Sequence, residues 1–395
     1  MSTVSMKNGN IPIAFIRSET ELTAVIAELQ KSKVIAFDTE FDRFRRGYGF
    51  KLYILQIFDG RTCYILDALS LKQLGKLWSI FEDEGILKVA YSCREDIEIL
   101  KINGCNPRPV FDVQIAAALA NSSAQSFSKL IEETFSITLD KEEQTSDWKK
   151  RPLSFSQLIY ASNDVIHLLK LNAMYQEKLE QIGLMQALAE EVQEKVSATP
   201  VDFTPKLTPG QLAVYSEQHL EVLFRFFQLR DKYGKKLDMP PKNLVGDSIL
   251  EDILKDKNKF VASPFQSGFS RRVLGDNGFL KEFMEIAESV PEAVNWKREK
   301  SYSNERSQDI KQKIERDKYL VKEFCEPIKK YVAAKYGEIA AEFILRGLRR
   351  KVDFIFSATP EMLPYQKSII LEAIDNLNLP KNVLASYNVN QIDTQ

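Results

Sequence analysis

The chain has 395 residues, of which 44% are hydrophobic and 28% are charged, and its net charge is -1. This length and composition exclude a single small core and predict two or three domains of a soluble globular protein. No segment approaches the ~20 apolar residues of a membrane span, and the first ten residues contain no signal-peptide core. A cytoplasmic location is therefore expected.

The four cysteines lie far apart in the sequence and form no CxxC pair: Cys63, Cys93, Cys105 and Cys325. This spacing argues against a zinc ribbon or a disulfide framework and favours reduced, buried thiols. A net charge near zero neither predicts nor excludes a nucleic acid as partner, because only a local basic surface is needed to meet phosphates.

The sequence pattern changes along the chain at two places. Short β-rich runs alternate with helical periodicity up to about residue 197, whereas nearly everything after residue 210 is typical of helices. Residues 196–210 carry three prolines and predict an exposed linker. With a second, highly polar break near residues 291–313, we expect domains over residues 1–197, 208–292 and 309–385.

The first domain begins with three predicted strands, VIAFDTEF (34–41), YILQIF (53–58) and TCYIL (62–66). An Asp59-Gly60 turn predicts an antiparallel hairpin between the last two. The predicted elements that follow are a helix over about 71–81, a strand at 86–92, a helix over about 95–102, a strand at 109–111 and helices beyond Asp112. This order resembles ribonuclease-H-like folds, in which helices flank a mixed sheet.

Two acids interrupt the first of these strands. Asp38 and Glu40 are two residues apart, so their carboxyl groups share one face of the strand. Burying ionised carboxylates without a positive partner is costly, which indicates a cation opposite them. The same alternation is also typical of an edge strand with one solvated face.

A third acid, Asp96, lies where a strand passes into a helix. Ser92 and Glu95 have the spacing of a capping box, which predicts that Asp96 lies in the first helical turn. The helix dipole favours an anion there by about 0.3 to 1 kcal/mol, which is sufficient reason for its presence. A role as metal ligand is the functional alternative.

The fourth acid, Asp164, is predicted to lie on a helix. Tyr160 precedes it by four residues and therefore lies one turn away on the same face. A core aromatic residue whose hydroxyl bonds to the acid explains the pair without function.

In this order, FDTEF, YSCREDIEIL and YASNDVIHLL resemble the three exonuclease motifs of the DEDD superfamily, and LDKEEQTSDWKKRPLSFSQLIYASNDV closely resembles the ribonuclease D family. The resemblance covers roughly half of the chain. It implies a two-metal 3'-5' exonuclease in which Asp38, Glu40, Asp96 and Asp164 hold the ions and Tyr160 positions the attacking water.

The chemistry of the acids agrees with this resemblance. Hard oxygen ligands favour Mg2+ or Mn2+ over zinc, and two cations relieve the repulsion among four carboxylates. Family members with a histidine in the third motif place it where Ile159 stands, so this chain resembles the tyrosine variant. His167 is not favoured as a ligand beside Mg2+. Asp112 is expected to cap a helix.

Two basic stretches are candidates for binding RNA. The loop FDRFRRGYGFKL places Arg43, Arg45 and Arg46 among aromatic residues, a combination that suits phosphates and stacked bases. A solvated loop is the alternative. Lys149, Lys150 and Arg151 precede the third motif and are expected to contact the substrate.

The region after residue 208 resembles the HRDC domain of the family, although the usual tryptophan near Phe227 is absent. The resemblance implies an auxiliary nucleic-acid-binding module, while a role in packing or in protein contacts stays open. All-α HRDC-like and C-terminal helical domains are thus expected after the α/β domain.

The expected function is hydrolysis of RNA 3' ends, such as those of tRNA precursors, to nucleoside 5'-monophosphates. The alternatives are a DNA exonuclease and a non-catalytic RNA-binding scaffold. The sequence indicates neither a protein partner nor a membrane.

Overall fold

A computed structural model describes residues 6–124, 126–199, 202–262, 264–265, 268–291, 321–346, 348 and 362–379. The chain forms two compact units. The first comprises residues 1–40, 53–200 and 304–395, and the second comprises residues 41–52 and 201–303. Every helix within the described ranges is too short or too polar to cross a bilayer.

A seven-stranded mixed sheet has the strand order β1-β2-β5-β4-β3-β6-β7. Its strands are β1 Met6–Asn8, β2 Ile11–Ile16, β3 Val34–Arg43, β4 Phe50–Phe58, β5 Cys63–Asp67, β6 Leu87–Ala90 and β7 Val110–Asp112. The predicted hairpin is present, since β4 and β5 pair antiparallel. β3, β6 and β7 run parallel, and β2 and β5 also run parallel.

The parallel pairing places the acids of β3 beyond the carboxyl end of the neighbouring strand β6. Ala36 pairs with Val89, so Asp38 and Glu40 lie level with the turn that follows β6. The strand is held in place by Ile35, Ala36 and Phe37, which are fully buried. The favourable free energy of burying these side chains offsets the unfavourable free energy of placing carboxylates next to an apolar sheet.

Helices cover the sheet. Those before residue 200 are α1 Glu19–Leu29, α2 Trp78–Phe81, α3 Arg94–Ile102, α4 Val113–Leu119, α5 Phe127–Phe135, α6 Phe155–Ile166, α7 Leu168–Gln181 and α8 Met185–Ser197, with 3-10 turns at Leu74–Leu77 and Glu142–Thr145. The helix expected over 71–81 is thus shorter than predicted. The turn at Gly104, where φ is +83°, follows α3 as expected.

The C-terminal helices contribute to the core of the first unit. They are a π-helical turn Val321–Cys325, α16 Glu326–Tyr336, α17 Glu338–Ile344 and α18 Pro364–Asn376. Ile328, Ala341 and Ile370 are almost fully buried in the same hydrophobic cluster as Ala36 and Val89. The separate domain expected over 309–385 stays a prediction; its residues 309–320, 347, 349–361 and 380–385 lie outside the described ranges.

The regular elements described in the second unit after residue 201 are helices, together with an isolated bridge between Val245 and Phe269. Its helices are α9 Pro209–Val214, α10 Glu217–Leu237, α11 Pro241–Leu244, α12 Asp247–Lys255, α13 Lys257–Ala262, α14 Arg271–Leu274 and α15 Asn277–Glu288. Phe226, Phe279 and Phe283 are fully buried at its centre. This agrees with the helical character expected after residue 208.

Candidate metal centre

Three carboxylates from one strand and one helix lie close together. Oxygen atoms of Asp38 and Glu40 on β3 and of Asp164 on α6 all lie within 4.8 Å of one another. All three side chains are half-buried. The period of the strand puts the first two on one face, and α6 brings the third to them.

Tyr160 lies one helical turn before Asp164, and its hydroxyl hydrogen-bonds to that carboxylate. Its ring packs against the buried Trp148, with the ring centroids 6.0 Å apart. Burial, followed by the negative charges of Asp164 and Glu40, raises the pKa of Tyr160 well above its usual value. The phenol therefore stays protonated near neutral pH, with its oxygen held beside the acids.

Asp96 lies in the first turn of α3 and is buried, with 7% of its surface exposed. Its carboxylate accepts a hydrogen bond from the hydroxyl of Thr39, which stands between Asp38 and Glu40 on β3. Asp96 is outside the group of three mutually close carboxylates, but its charge raises the pKa of Asp38. The fourth acid is thus next to the cluster and tied to the same strand.

The predicted capping box at the start of α3 is wrong. The N-cap residue is Cys93, which makes no capping hydrogen bond through its side chain, and Ser92 has a left-handed backbone with φ of +55°. The amide of Ser92 instead donates to Asp112, twenty residues later. A contact between distant residues has replaced the local one.

The four acids lie close to one another, and their pKa values are all raised. Burial, followed by the neighbouring carboxylates, raises the pKa of Asp38 and of Glu40 well above the usual range. Burial and the charge of Asp96 raise the pKa of Asp164 to about 8. Burial likewise raises the pKa of Asp96 to about 6. A cation at this position would relieve the repulsion.

The donor set fits a divalent metal ion. Three carboxylates within one coordination distance offer the hard oxygen ligands that Mg2+ and Mn2+ prefer. His167 is not among the clustered groups; its ring packs on Phe135 with the centroids 5.9 Å apart. An acidic cluster suited to a divalent cation is therefore present, and metal binding by the four predicted acids stays a prediction.

The arginine loop 42–49 is ordered by one acid. The buried carboxylate of Asp42 accepts hydrogen bonds from the amides of Arg45, Arg46 and Gly47 at 3.1, 2.8 and 2.9 Å. Arg45 and Arg46 are exposed, whereas the guanidinium of Arg43 lies over aromatic rings of the second unit. Substrate contacts by these arginines stay a prediction, and the alternative of a solvated loop stays open.

The basic stretch before the third motif divides into two kinds of residue. Lys149 and Lys150 are exposed. The guanidinium of Arg151 forms a two-point ion pair with buried Asp67, at 2.9 and 2.7 Å, and also donates to the carbonyl of Trp148. In this structure Arg151 holds the loop against β5. Substrate contacts by the three basic residues also stay a prediction.

Sequence reasoning missed the residues that hold this site together. Thr39 and Asp67 are not among the residues that the sequence pattern singles out. A buried polar residue inside an apolar strand was the available signal. Lys195 carried no signal, because its partner Asp112 is 83 residues away in the sequence.

Comparisons of sequence identify relatives of the chain. A family model described as 3'-5' exonuclease matches residues 13–180. Ribonuclease D of Pseudomonas paraeruginosa is 31% identical over 295 residues, which cover 71% of this chain and 76% of that protein. Ribonuclease D of Shewanella sp. strain ANA-3 is 36% identical over 220 residues. That match covers 54% of this chain and spans just over half, 56%, of the relative.

Solved structures share the fold. The crystal structure of Escherichia coli RNase D, described as an exoribonuclease involved in structured RNA processing, has a TM-score of 0.68 at 22% identity. The superposition covers 93% of this chain and 98% of that one. The catalytic core of RRP6 from Trypanosoma brucei has a TM-score of 0.61 at 21% identity and covers 73% and 82%. The predicted fold class is confirmed.

Proposed function

Because the chain belongs to the ribonuclease D family, and residues 13–180 match a 3'-5' exonuclease domain, we propose that the protein hydrolyses RNA from its 3' end. The family predicted from the sequence is confirmed by the 31% identity over 76% of the Pseudomonas protein. The observation that carries the proposed activity is the acidic cluster on β3 and α6.

Asp38, Glu40 and Asp164 would hold one divalent ion, and Asp96 with Asp38 would hold a second. Bound Mg2+ or Mn2+ ions supply positive charge for the attacking and leaving oxygens of an in-line displacement. The mutual closeness of three acids and the nearby charge of Asp96 support this assignment. Water is the nucleophile, so the products are nucleoside 5'-monophosphates.

Tyr160 would orient the attacking water. Its hydroxyl bonds to Asp164, and its raised pKa keeps the phenol neutral. A neutral phenol donates or accepts a hydrogen bond but does not remove a proton as phenolate. The residue therefore positions water rather than acting as a general base.

The exposed side chains of Lys149 and Lys150, and separately those of Arg45 and Arg46, are suited to contacts with the phosphates of single-stranded RNA. Their order in the chain, just after the first motif and just before the third, supports this role. We propose structured RNA such as tRNA precursors as the substrate, and the cytoplasm as the location, where the four buried free cysteines stay reduced.

The test is a shortening assay with matched RNA and DNA strands labelled at the 5' end. We expect a ladder of RNA products that requires Mn2+ or Mg2+ and disappears with a chelator or in Asp38→Asn. Faster shortening of the DNA strand would replace the proposal with a DNA exonuclease. Intact strands of both kinds with the wild-type protein would leave only an RNA-binding scaffold.

A further inference from the structure

Asp112 makes more contacts than a helix cap requires. Its side chain is fully buried, and Oδ1 accepts from the amides of Gln114 and Ile115 at 2.9 and 3.4 Å, which caps α4. The same oxygen accepts from the amide of Ser92 at 3.0 Å. One carboxylate oxygen is therefore shared between the cap and a separate segment of the chain.

The second oxygen of Asp112 faces away from the cap. Oδ2 accepts from the amide of Cys93 at 3.2 Å and from Nζ of Lys195 on α8 at 2.8 Å. The Cys93 thiol lies 3.5 Å from the same atom. Capping of α4 does not need these contacts. They join the turn between β6 and α3 to a positive charge from another helix.

This turn determines where α3 begins. Ser92 holds a left-handed backbone that side chains rarely adopt, and Cys93 starts the helix without a capping side chain of its own. The carbonyl of Cys93 accepts the first helical hydrogen bond, from Ile97. The two amides that Asp112 binds belong to the two residues of this strained turn, so the carboxylate holds the turn in place.

Asp96 follows the turn directly. It is three residues after Cys93, in the first turn of α3, and its carboxylate is fixed on the other side by Thr39. A shift of the turn moves the start of α3 and therefore moves Asp96 relative to Asp38. Mutation of groups that orient metal ligands typically lowers metal affinity about 10- to 100-fold.

We propose that Asp112, neutralised by Lys195, is a positioning residue that sets Asp96 for binding of a divalent ion. The proposal rests on the metal centre proposed above. Asp112 does not touch the ion; it acts through the backbone of Ser92 and Cys93. Lys195 is needed because amide donors do not neutralise the charge of a fully buried carboxylate, whereas an ammonium group does.

The test compares Asp112→Asn with Glu191→Gln as a matched control. Every group that contacts the two oxygens of Asp112 is a hydrogen-bond donor. In Asp112→Asn the NH2 group therefore faces donors in either orientation of the amide. Glu191 is also a buried, ion-paired acid of the first unit, and it accepts from Arg346 and Tyr365. Both variants therefore remove one buried charge at similar size.

Mn2+ binding to the full-length protein, without RNA, is measured by titration calorimetry. We expect Asp112→Asn to raise the Mn2+ dissociation constant about 10- to 100-fold. Glu191→Gln should lower the melting temperature and leave Mn2+ affinity unchanged. On RNA, Asp112→Asn should lower kcat with little change in KM.

Wild-type Mn2+ affinity in folded Asp112→Asn would overturn the proposal. If that variant does not fold, Lys195→Gln and Lys195→Arg decide the question: weaker Mn2+ binding in the first with recovery in the second supports positioning, and equal binding in both overturns it. A wild-type protein that binds Mn2+ but leaves RNA intact would contradict the exoribonuclease function, while the calorimetric comparison would still decide the role of Asp112.

Discussion

Two sets of acids in the first unit differ in what they face. Asp38, Glu40 and Asp164 face one another, and burial with mutual repulsion raises the pKa of each. Asp67 and Glu191 face the guanidinium groups of Arg151 and Arg346. Burial alone would raise the pKa of Asp67, but the hydrogen bonds and charge of Arg151 bring it below its usual value.

The acids that face arginines stabilise the fold, whereas the acids that face one another destabilise it. A buried carboxylate with an arginine opposite it has its charge and its lone pairs satisfied. Carboxylates that face like charges cost folding free energy until a cation binds. Substitution at the two sets should therefore change stability in opposite directions.

The largest expected effect is that of Asp164→Asn. Loss of a metal ligand should lower the rate of RNA shortening at least ~1000-fold, because the charge that stabilises the transition state is no longer held in place. In metal-free buffer the melting temperature should rise, since one repelling charge is gone.

Asp67→Asn serves as the control for that variant. It removes a carboxylate that has a positive partner, so the melting temperature should fall while Mn2+ affinity is retained. Equal destabilisation by both substitutions would contradict the division into two sets.

Tyr160→Phe should have the next largest effect, a decrease in kcat of about 100- to 1000-fold. The substitution removes only the hydroxyl that bonds to Asp164, and the ring still packs against Trp148. Mn2+ affinity, measured by calorimetry, should be close to that of the wild type. A large loss of Mn2+ binding would instead make the tyrosine part of the ligand structure.

Arg346→Met should lower the free energy of unfolding without affecting catalysis. It leaves Glu191, whose side chain is 3% exposed, with a buried negative charge that lacks its guanidinium. The side chain of Arg346 is 34% exposed, so the loss should be less than the ~3–5 kcal/mol of a fully buried pair. Urea unfolding of the full-length protein measures the difference, and a loss of activity per folded molecule would contradict it.

The smallest expected effect is on the pH dependence of stability. The pKa of Asp96 is raised by burial to about 6, and that of Asp164 by burial and by Asp96 to about 8. Both exceed the unfolded value of 3.8, so their contribution to stability is complete below pH 4 and is lost as the pH rises through about 6 and 8.

The increase in melting temperature on adding Mn2+ should therefore grow between pH 5.5 and 8.5, because protons compete with the ion at low pH. The contribution of Asp67 lies outside this window: its lowered pKa gives stability that is lost only as the pH falls below about 4. A Mn2+ effect independent of pH would contradict the raised values of the cluster.

The chemistry of the site could be predicted to different extents from local patterns. Asp38 and Glu40 were placed on one face by the strand period, and Tyr160 was placed beside Asp164 by the helix period. The capping box at Ser92 could not be judged locally, because the amide of Ser92 donates to Asp112, twenty residues later in the chain.

The partners of the basic residues also could not be predicted from the local sequence. The sequence shows positive charges at 149–151 but not that Asp67, far away on β5, engages the guanidinium of Arg151. The sequence likewise does not show that the described C-terminal helices pack in the same hydrophobic cluster as β3 and β6. Pairing of this kind depends on which surfaces the folded chain brings together.

The sequence by itself determined β3, β4 and β5, and it placed Asp38 with Glu40 and Tyr160 with Asp164, because these follow from backbone periods of two and 3.6 residues. Only the tertiary structure decided which charges meet. It brought three acids within 4.8 Å of one another and gave Asp112 partners from the β6–α3 turn and from α8. Coulomb energy depends on distance in space, and distance along the chain does not report it.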